Sequence, residues 1–153
     1  MLEISQPAPN FNLPQTNGDT VCLADLRGSA VVLFFYPRDN TPGCTKEAIG
    51  FSASNSDFLA AGAAVFGISK DSVQSHIKFT DKQSLAIPLL SDEHGSMCED
   101  YGVWKEKSMY GKTFMGIERT TVLIKADGTI AKVWNKVKVP GHVEAVLEAV
   151  RAL

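Results

Sequence analysis

A chain of 153 residues, 44% of them hydrophobic, fits one domain of ordinary size that buries a core without disulfide or metal staples. Its 15 basic and 17 acidic side chains are interspersed and leave a formal net charge of -2, which argues against a nucleic-acid or membrane-surface footprint. No apolar run approaches the roughly 20 residues of a bilayer span, and residues 1–10 lack a basic start followed by an apolar stretch, so a cytoplasmic location is expected.

In chain order, LPQTNGDTVCLADLRG reads as an N-terminal hairpin turning at Asn17 and Gly18, with Cys22 in its second strand. AVVLFFYP, residues 30–37, is a continuous β-branched and aromatic run, as in strands covered on both faces. Pro37 stops it, because proline cannot continue a sheet ladder. A helix over about 42–61 follows, then a strand in AAVFGISK, a helix in SVQSHIKFTDKQSL, a strand in IPLLSD and a short helix in GSMCEDYGV. Residues 105–118, KEKSMYGKTFMGIE, show no clear period and read as a long irregular loop, a class that is often functional. RTTVLIKADGTIAKVWN then predicts a hairpin around Asp127-Gly128, and VEAVLEAVRAL closes the chain with apolar residues at helical spacing. The order implies a layered α/β fold whose central sheet is mixed, parallel where helices cross over and antiparallel toward the end.

Three cysteines at wide spacing, Cys22, Cys44 and Cys98, form no CxxC motif and no Cys/His pair at zinc spacing. Neither a disulfide framework nor a metal or other cofactor is expected, and any cysteine chemistry is that of individual thiols. His76, His94 and His142 read as structural. Cys44 has a special setting: Thr41 is a favoured helix N-cap, Pro42 suits the first helical position, and Cys44 falls at the third. First-turn amides lack intrahelical acceptors and the helix dipole is positive there, so the position favours a thiolate. It also lies at the carboxyl end of a central strand, where open α/β sheets place ligands.

Pro37, Thr41 and Cys44 stand as PxxxTxxC directly after an apolar strand. That pattern resembles the active-site motif of peroxiredoxins, and FYPRDNTPGCTKE is similar to its version in the bacterioferritin-comigratory-protein branch, the peroxiredoxin Q group. The similarity extends to the opening hairpin, to FGISKDSVQSHIKF and PLLSD, to YGVW as part of a third helix, and to GIERTTVLIKADGTI. The resemblance implies a thioredoxin-like fold and a thiol-dependent peroxidase acting on hydrogen peroxide and organic hydroperoxides. It makes Cys44 the peroxidatic cysteine that becomes a sulfenic acid, Thr41 the hydroxyl that contacts peroxide, Pro37 the shielding residue and Arg119 the distant arginine. Glu47, in the stretch CTKE, corresponds to a carboxylate that orients Arg119, and the Gly43 and Cys44 amides complete an anion-friendly pocket. Thioredoxin, glutaredoxin or a small thiol is the implied reductant, and a monomer the implied state.

The chain departs from that group where a second cysteine resolves the sulfenic acid. The two familiar positions hold Ile49 and Thr80. One-cysteine turnover is therefore expected, with Cys98 or Cys22 as the internal alternatives and both otherwise read as buried thiols. Trp104, Phe114, Met115 and Trp134 are candidates for an apolar wall favouring alkyl hydroperoxides. A dithiol exchanger is disfavoured because TPGC places Thr41 where CxxC needs its first cysteine. A peroxide-sensing or holdase-like protein without efficient turnover is the competing reading.

Overall fold

The computed structural model describes residues 2–153. The first hairpin pairs β1 (Asn12–Pro14) with β2 (Thr20–Cys22), and Gly18 takes the positive φ of 90° that its turn requires. A 3-10 turn, Leu23–Leu26, leads to β3 (Ala30–Phe35), in which every residue is buried. After it come α1 (Pro42–Ala53), α2 (Asn55–Ala60), β4 (Ala63–Ser69), α3 (Val73–Gln83), β5 (Leu89–Ser91) and α4 (Met97–Asp100). The chain ends with β6 (Trp104–Met109), β7 (Lys112–Ile117), β8 (Thr120–Ile124), β9 (Ile130–Trp134) and α5 (His142–Arg151).

The central sheet has the order β5-β4-β3-β8-β9. β3 runs parallel to β4 and β4 to β5, while β8 is antiparallel to both β3 and β9. This is the mixed sheet that the alternation of elements implies. Side chains alternate across β3, so the strand feeds two separate cores. Val32, Phe34 and Tyr36 pack with Cys44, Phe51, Phe58, Phe79, Val143 and Val146, under the helices α1, α2, α3 and α5. Val31, Leu33 and Phe35 pack on the other side with Leu13, Val21, Met97, Cys98 and Tyr101, under the N-terminal hairpin and α4. At the centre of the sheet Gly67 lies between Phe34 and Leu89. A β-carbon there would stand 2.7 Å from the Phe34 ring and 2.8 Å from a Leu89 methyl, so glycine is what lets the ring pack.

Three expectations need correction. The helix over 42–61 is two helices, interrupted at Ser54 (φ -95°, ψ 5°). The run Ser52-Ala53-Ser54-Asn55-Ser56 offers side chains that compete with helical hydrogen bonds, which weakens propagation there. YGVW is not helical throughout: Gly102 leaves the end of α4 at φ +70° and Trp104 begins β6. Residues 105–118 are no irregular loop, because most of them form the β6–β7 hairpin. Tyr110 (φ 53°) and Gly111 (φ 77°) make its two-residue turn. Its arms are largely exposed, so neither face carries the apolar alternation by which a strand is recognised.

Candidate active site

The loop after β3 sets the site. Tyr36 is buried, and its hydroxyl donates to Asp39 Oδ1 at 2.6 Å. Burial and the Asp39 carboxylate push the phenol well above its ordinary range and keep it a donor. His76, from α3, places Nδ1 2.7 Å from Asp39 Oδ2, and its Nε2 donates to the Leu90 carbonyl at 2.9 Å. Ser75 Oγ donates to Asp39 Oδ2 at 2.7 Å, and the Asp39 amide donates to Asp71 Oδ2 at 2.9 Å. Asp39, Asp71 and His76 thus tie the loop to α3 and to the end of β4. Asn40 turns it sharply at φ 61°, a conformation asparagine tolerates better than most residues.

Thr41 is extended, Pro42 opens α1, and the first helical bond runs from the Thr45 amide to the Thr41 carbonyl at 2.8 Å. Thr41 is the N-cap residue, as expected, but its side chain makes no capping hydrogen bond. Its hydroxyl donates to the Arg38 carbonyl at 2.8 Å, so its lone pairs are left to accept from a neighbour. The Gly43 and Cys44 amides lie in the first turn, where no intrahelical acceptor exists.

Cys44, at the third helical position, is 1% exposed, and Arg119 Nη2 donates to its sulfur at 3.3 Å. The other arm of the guanidinium donates from Nη1 to Glu47 Oε1 at 2.7 Å. Arg119 stands 75 residues from Cys44 in sequence, in the short link between β7 and β8, and the β3–β8 pairing brings it over α1. Burial alone would lower Arg119, but Glu47 and Cys44 raise it, so it remains cationic. Glu47 is itself buried. Burial pushes its carboxyl up to about 7 against the opposing pull of Arg119, and its Oε2 has no partner. Gly43 has a steric role beside its amide: a β-carbon there would lie 3.2 Å from Arg119 Nη2.

A family model described as the AhpC/TSA family matches residues 4–133. The chain belongs to that family. Peroxiredoxin Bcp of Bacillus subtilis is 44% identical over 98% of this chain and 96% of its own, and Peroxiredoxin Bcp of Escherichia coli is 42% identical over 95% and 94%. Among solved structures, the Xanthomonas campestris bacterioferritin comigratory protein, described for its alkyl peroxide reduction activity, superposes with a TM-score of 0.88. It shares 44% identity over 93% of this chain and 90% of that one. A cysteine-to-serine variant of Xylella fastidiosa PrxQ superposes with a TM-score of 0.94 at 38% identity, over 99% and 97%. The protein is thus a thiol-dependent peroxidase of the Bcp/PrxQ peroxiredoxins with their thioredoxin-like fold.

The peroxiredoxin's other two cysteines are placed differently from Cys44. Cys98 is 0% exposed in the core on the opposite face of the sheet. Burial and the neighbouring Asp92 push its thiol well above the ordinary cysteine range. Cys22 ends β2 half-buried, whereas the sequence suggested a buried strand residue. His142 hydrogen-bonds Thr121 through Nε2 at 2.7 Å, and His94 is exposed beside Glu93. Among the described residues no helix is long and apolar enough to cross a membrane.

Beside Thr41 and Pro37 opens a cavity of about 590 Å³. Trp104, Phe114, Met115 and Ile117 of the β6–β7 hairpin wall it, and Arg38, Lys70, Lys107 and Asp71 add charged groups. Trp134, expected in such a wall, instead packs edge-on against His142 on the α5 side of the sheet, with ring centroids 5.8 Å apart. Lys107 and the Asp39–His76 network escaped the sequence reading. Tyr110-Gly111 was the available signal for the first, as a two-residue turn between polar strands.

Proposed function

We propose that this peroxiredoxin reduces hydrogen peroxide and organic hydroperoxides through the Cys44 thiolate in a one-cysteine cycle. Sulfur attacks the terminal peroxide oxygen, an S–O bond forms as O–O breaks, and Cys44 becomes a sulfenic acid while the other oxygen departs with the electron pair. The observation that carries this reading is the Arg119 guanidinium, held by Glu47 and donating to Cys44 Sγ at 3.3 Å over the first turn of α1. Fixed donors at that place stabilise the charge that moves onto the peroxide. Thr41, whose proton is committed to Arg38, accepts the hydroperoxide O–H, and Pro37 keeps water from the sulfur. The apolar wall beside them suits an alkyl group, in line with the alkyl peroxide activity described for the Xanthomonas campestris relative.

The one-cysteine assignment is supported by the burial of Cys98 behind the sheet and by the location of Cys22 in the far hairpin. Bridged cysteines need Cα atoms within roughly 7 Å. An external thiol of the thioredoxin, glutaredoxin or small-molecule kind then reduces the sulfenic acid. Peroxide consumption under excess dithiothreitol tests the proposal. Many turnovers are expected, none for Cys44→Ser, with near wild-type turnover for Cys22→Ser and Cys98→Ser. A single stoichiometric oxidation without turnover would instead favour a peroxide-sensing role.

A further inference from the structure

Peroxide cleavage releases an alkoxide or hydroxide that needs a proton, and most groups around the cavity have none to give. Burial would lower Arg119, but Glu47 and Cys44 raise it, and a guanidinium does not deprotonate in proteins. The Thr41 hydroxyl proton is engaged by the Arg38 carbonyl. Lys70 is held by Glu99 at 2.8 Å and Asp92 at 3.5 Å and lies over the Trp104 ring. Glu47 sits behind the guanidinium, fully buried.

Lys107 differs from all of these. It projects from β6 into the cavity shared with Thr41 and Pro37, and one of its three N–H groups donates to the Ile117 carbonyl. Two donors are left. Its stem crosses Gly116, where a β-carbon would stand 3.2 Å from Lys107 Cδ and 3.4 Å from Cε, so the missing side chain at 116 seats it. Burial and then Arg119 lower its ammonium, while Cys44 and Glu118 act in the opposite direction. The charges of Lys107, Arg119 and Cys44 therefore act on one another.

We propose that Lys107 is the general acid of the reaction, donating a proton to the oxygen that leaves when Cys44 attacks a peroxide. The inference rests on the reading of Cys44 as nucleophile. Thiolate, hydroperoxide and lysine ammonium become sulfenic acid, alcohol and lysine amine. The S–O bond forms, the O–O bond breaks, the departing oxygen takes both bond electrons, and the Lys107 proton neutralises it. Solvent then returns a proton to the amine.

Leaving groups that differ in their need for a proton test this. Cys44 oxidation would be timed by rapid-quench mass spectrometry in the wild type, Lys107→Met and Lys107→Arg, using an alkyl hydroperoxide and a peroxycarboxylic acid. A carboxylate departs without protonation, whereas an alkoxide does not. Lys107→Met is expected to slow the alkyl hydroperoxide by on the order of 10²-fold while the peroxycarboxylic acid stays near the wild-type rate. Lys107→Arg, which keeps the charge but not the transferable proton, should behave like Lys107→Met. Equal slowing of both oxidants, slowing of neither, or recovery of the wild-type rate in Lys107→Arg would overturn the general-acid role and leave Cys44 as nucleophile. Wild-type protein whose Cys44 reacts with neither oxidant would overturn both.

Discussion

Gly43 shows how much of this site depends on one missing side chain. Its amide lies in the first turn of α1, and its bare α-carbon leaves room for the guanidinium that reaches Cys44. A methyl at 43 would begin 3.2 Å from Arg119 Nη2 and push the guanidinium away from sulfur. Gly43→Ala should therefore cut the rate of Cys44 oxidation roughly tenfold, since small misplacements of a catalytic group are costly. Its stability should change little, because the better helix propensity of alanine offsets the loosening of the Arg119–Glu47 pair. Rapid-quench kinetics and urea unfolding separate the two effects; a destabilised variant with an intact rate would sink the steric argument. Pro37, Thr41 and Cys44 were legible in sequence because they share one short motif. Arg119 was not, except through family resemblance, because nothing local to a residue 75 positions away says that a sheet will carry it over α1. The N-cap position of Thr41 was legible, but the partner of its hydroxyl was not: the Arg38 carbonyl that takes it is presented by the Asp39–His76 network, which only the folded chain assembles.

Among the elements, α1 buries the carboxyl of Glu47 and α5 the imidazole of His142 near Arg119, and the two respond to pH in opposite directions. Burial raises Glu47 from 4.5 to about 7, so the folded state binds its proton more tightly and this contribution to stability is lost as pH rises through that window. Burial and Arg119 lower His142 from 6.5 to about 4, so its contribution is present above 6.5 and is lost as pH falls toward 4. Between roughly 4.5 and 6.5 the slopes oppose each other. Glu47→Gln removes the first and should gain stability relative to the wild type between pH 5 and 7.5, by up to about 3 kcal/mol. Urea midpoints at constant ionic strength would show it, and a difference independent of pH would contradict the assignment. The buried strands and amphipathic helices were legible because burial imposes their period on the sequence. The β6–β7 hairpin carries Lys107 and the apolar wall yet is itself exposed, so solvent imposes no such period and the pattern was silent.

For the molecule as a whole, the sheet is a partition. Alternation of strands and helices announced a mixed α/β architecture, but not that four helices would crowd one face while the N-terminal hairpin and α4 cover the other. That asymmetry decides the thiol chemistry proposed for the protein. Cys44 packs with the helical face, Cys98 with the opposite face, and Cys22 lies in the hairpin beyond it. Sequence left the choice between an internal partner and an external thiol to the empty positions Ile49 and Thr80. The folded chain adds a barrier, because joining Cys44 to Cys98 would mean opening the sheet as well as unwinding α1. The most direct test is intact mass spectrometry of reduced protein after one equivalent of peroxide, with peptide mapping of all three cysteines. Gain of one oxygen on Cys44 alone is the predicted result; loss of two hydrogens with a mapped bridge from Cys44 to Cys22 or Cys98 would contradict it.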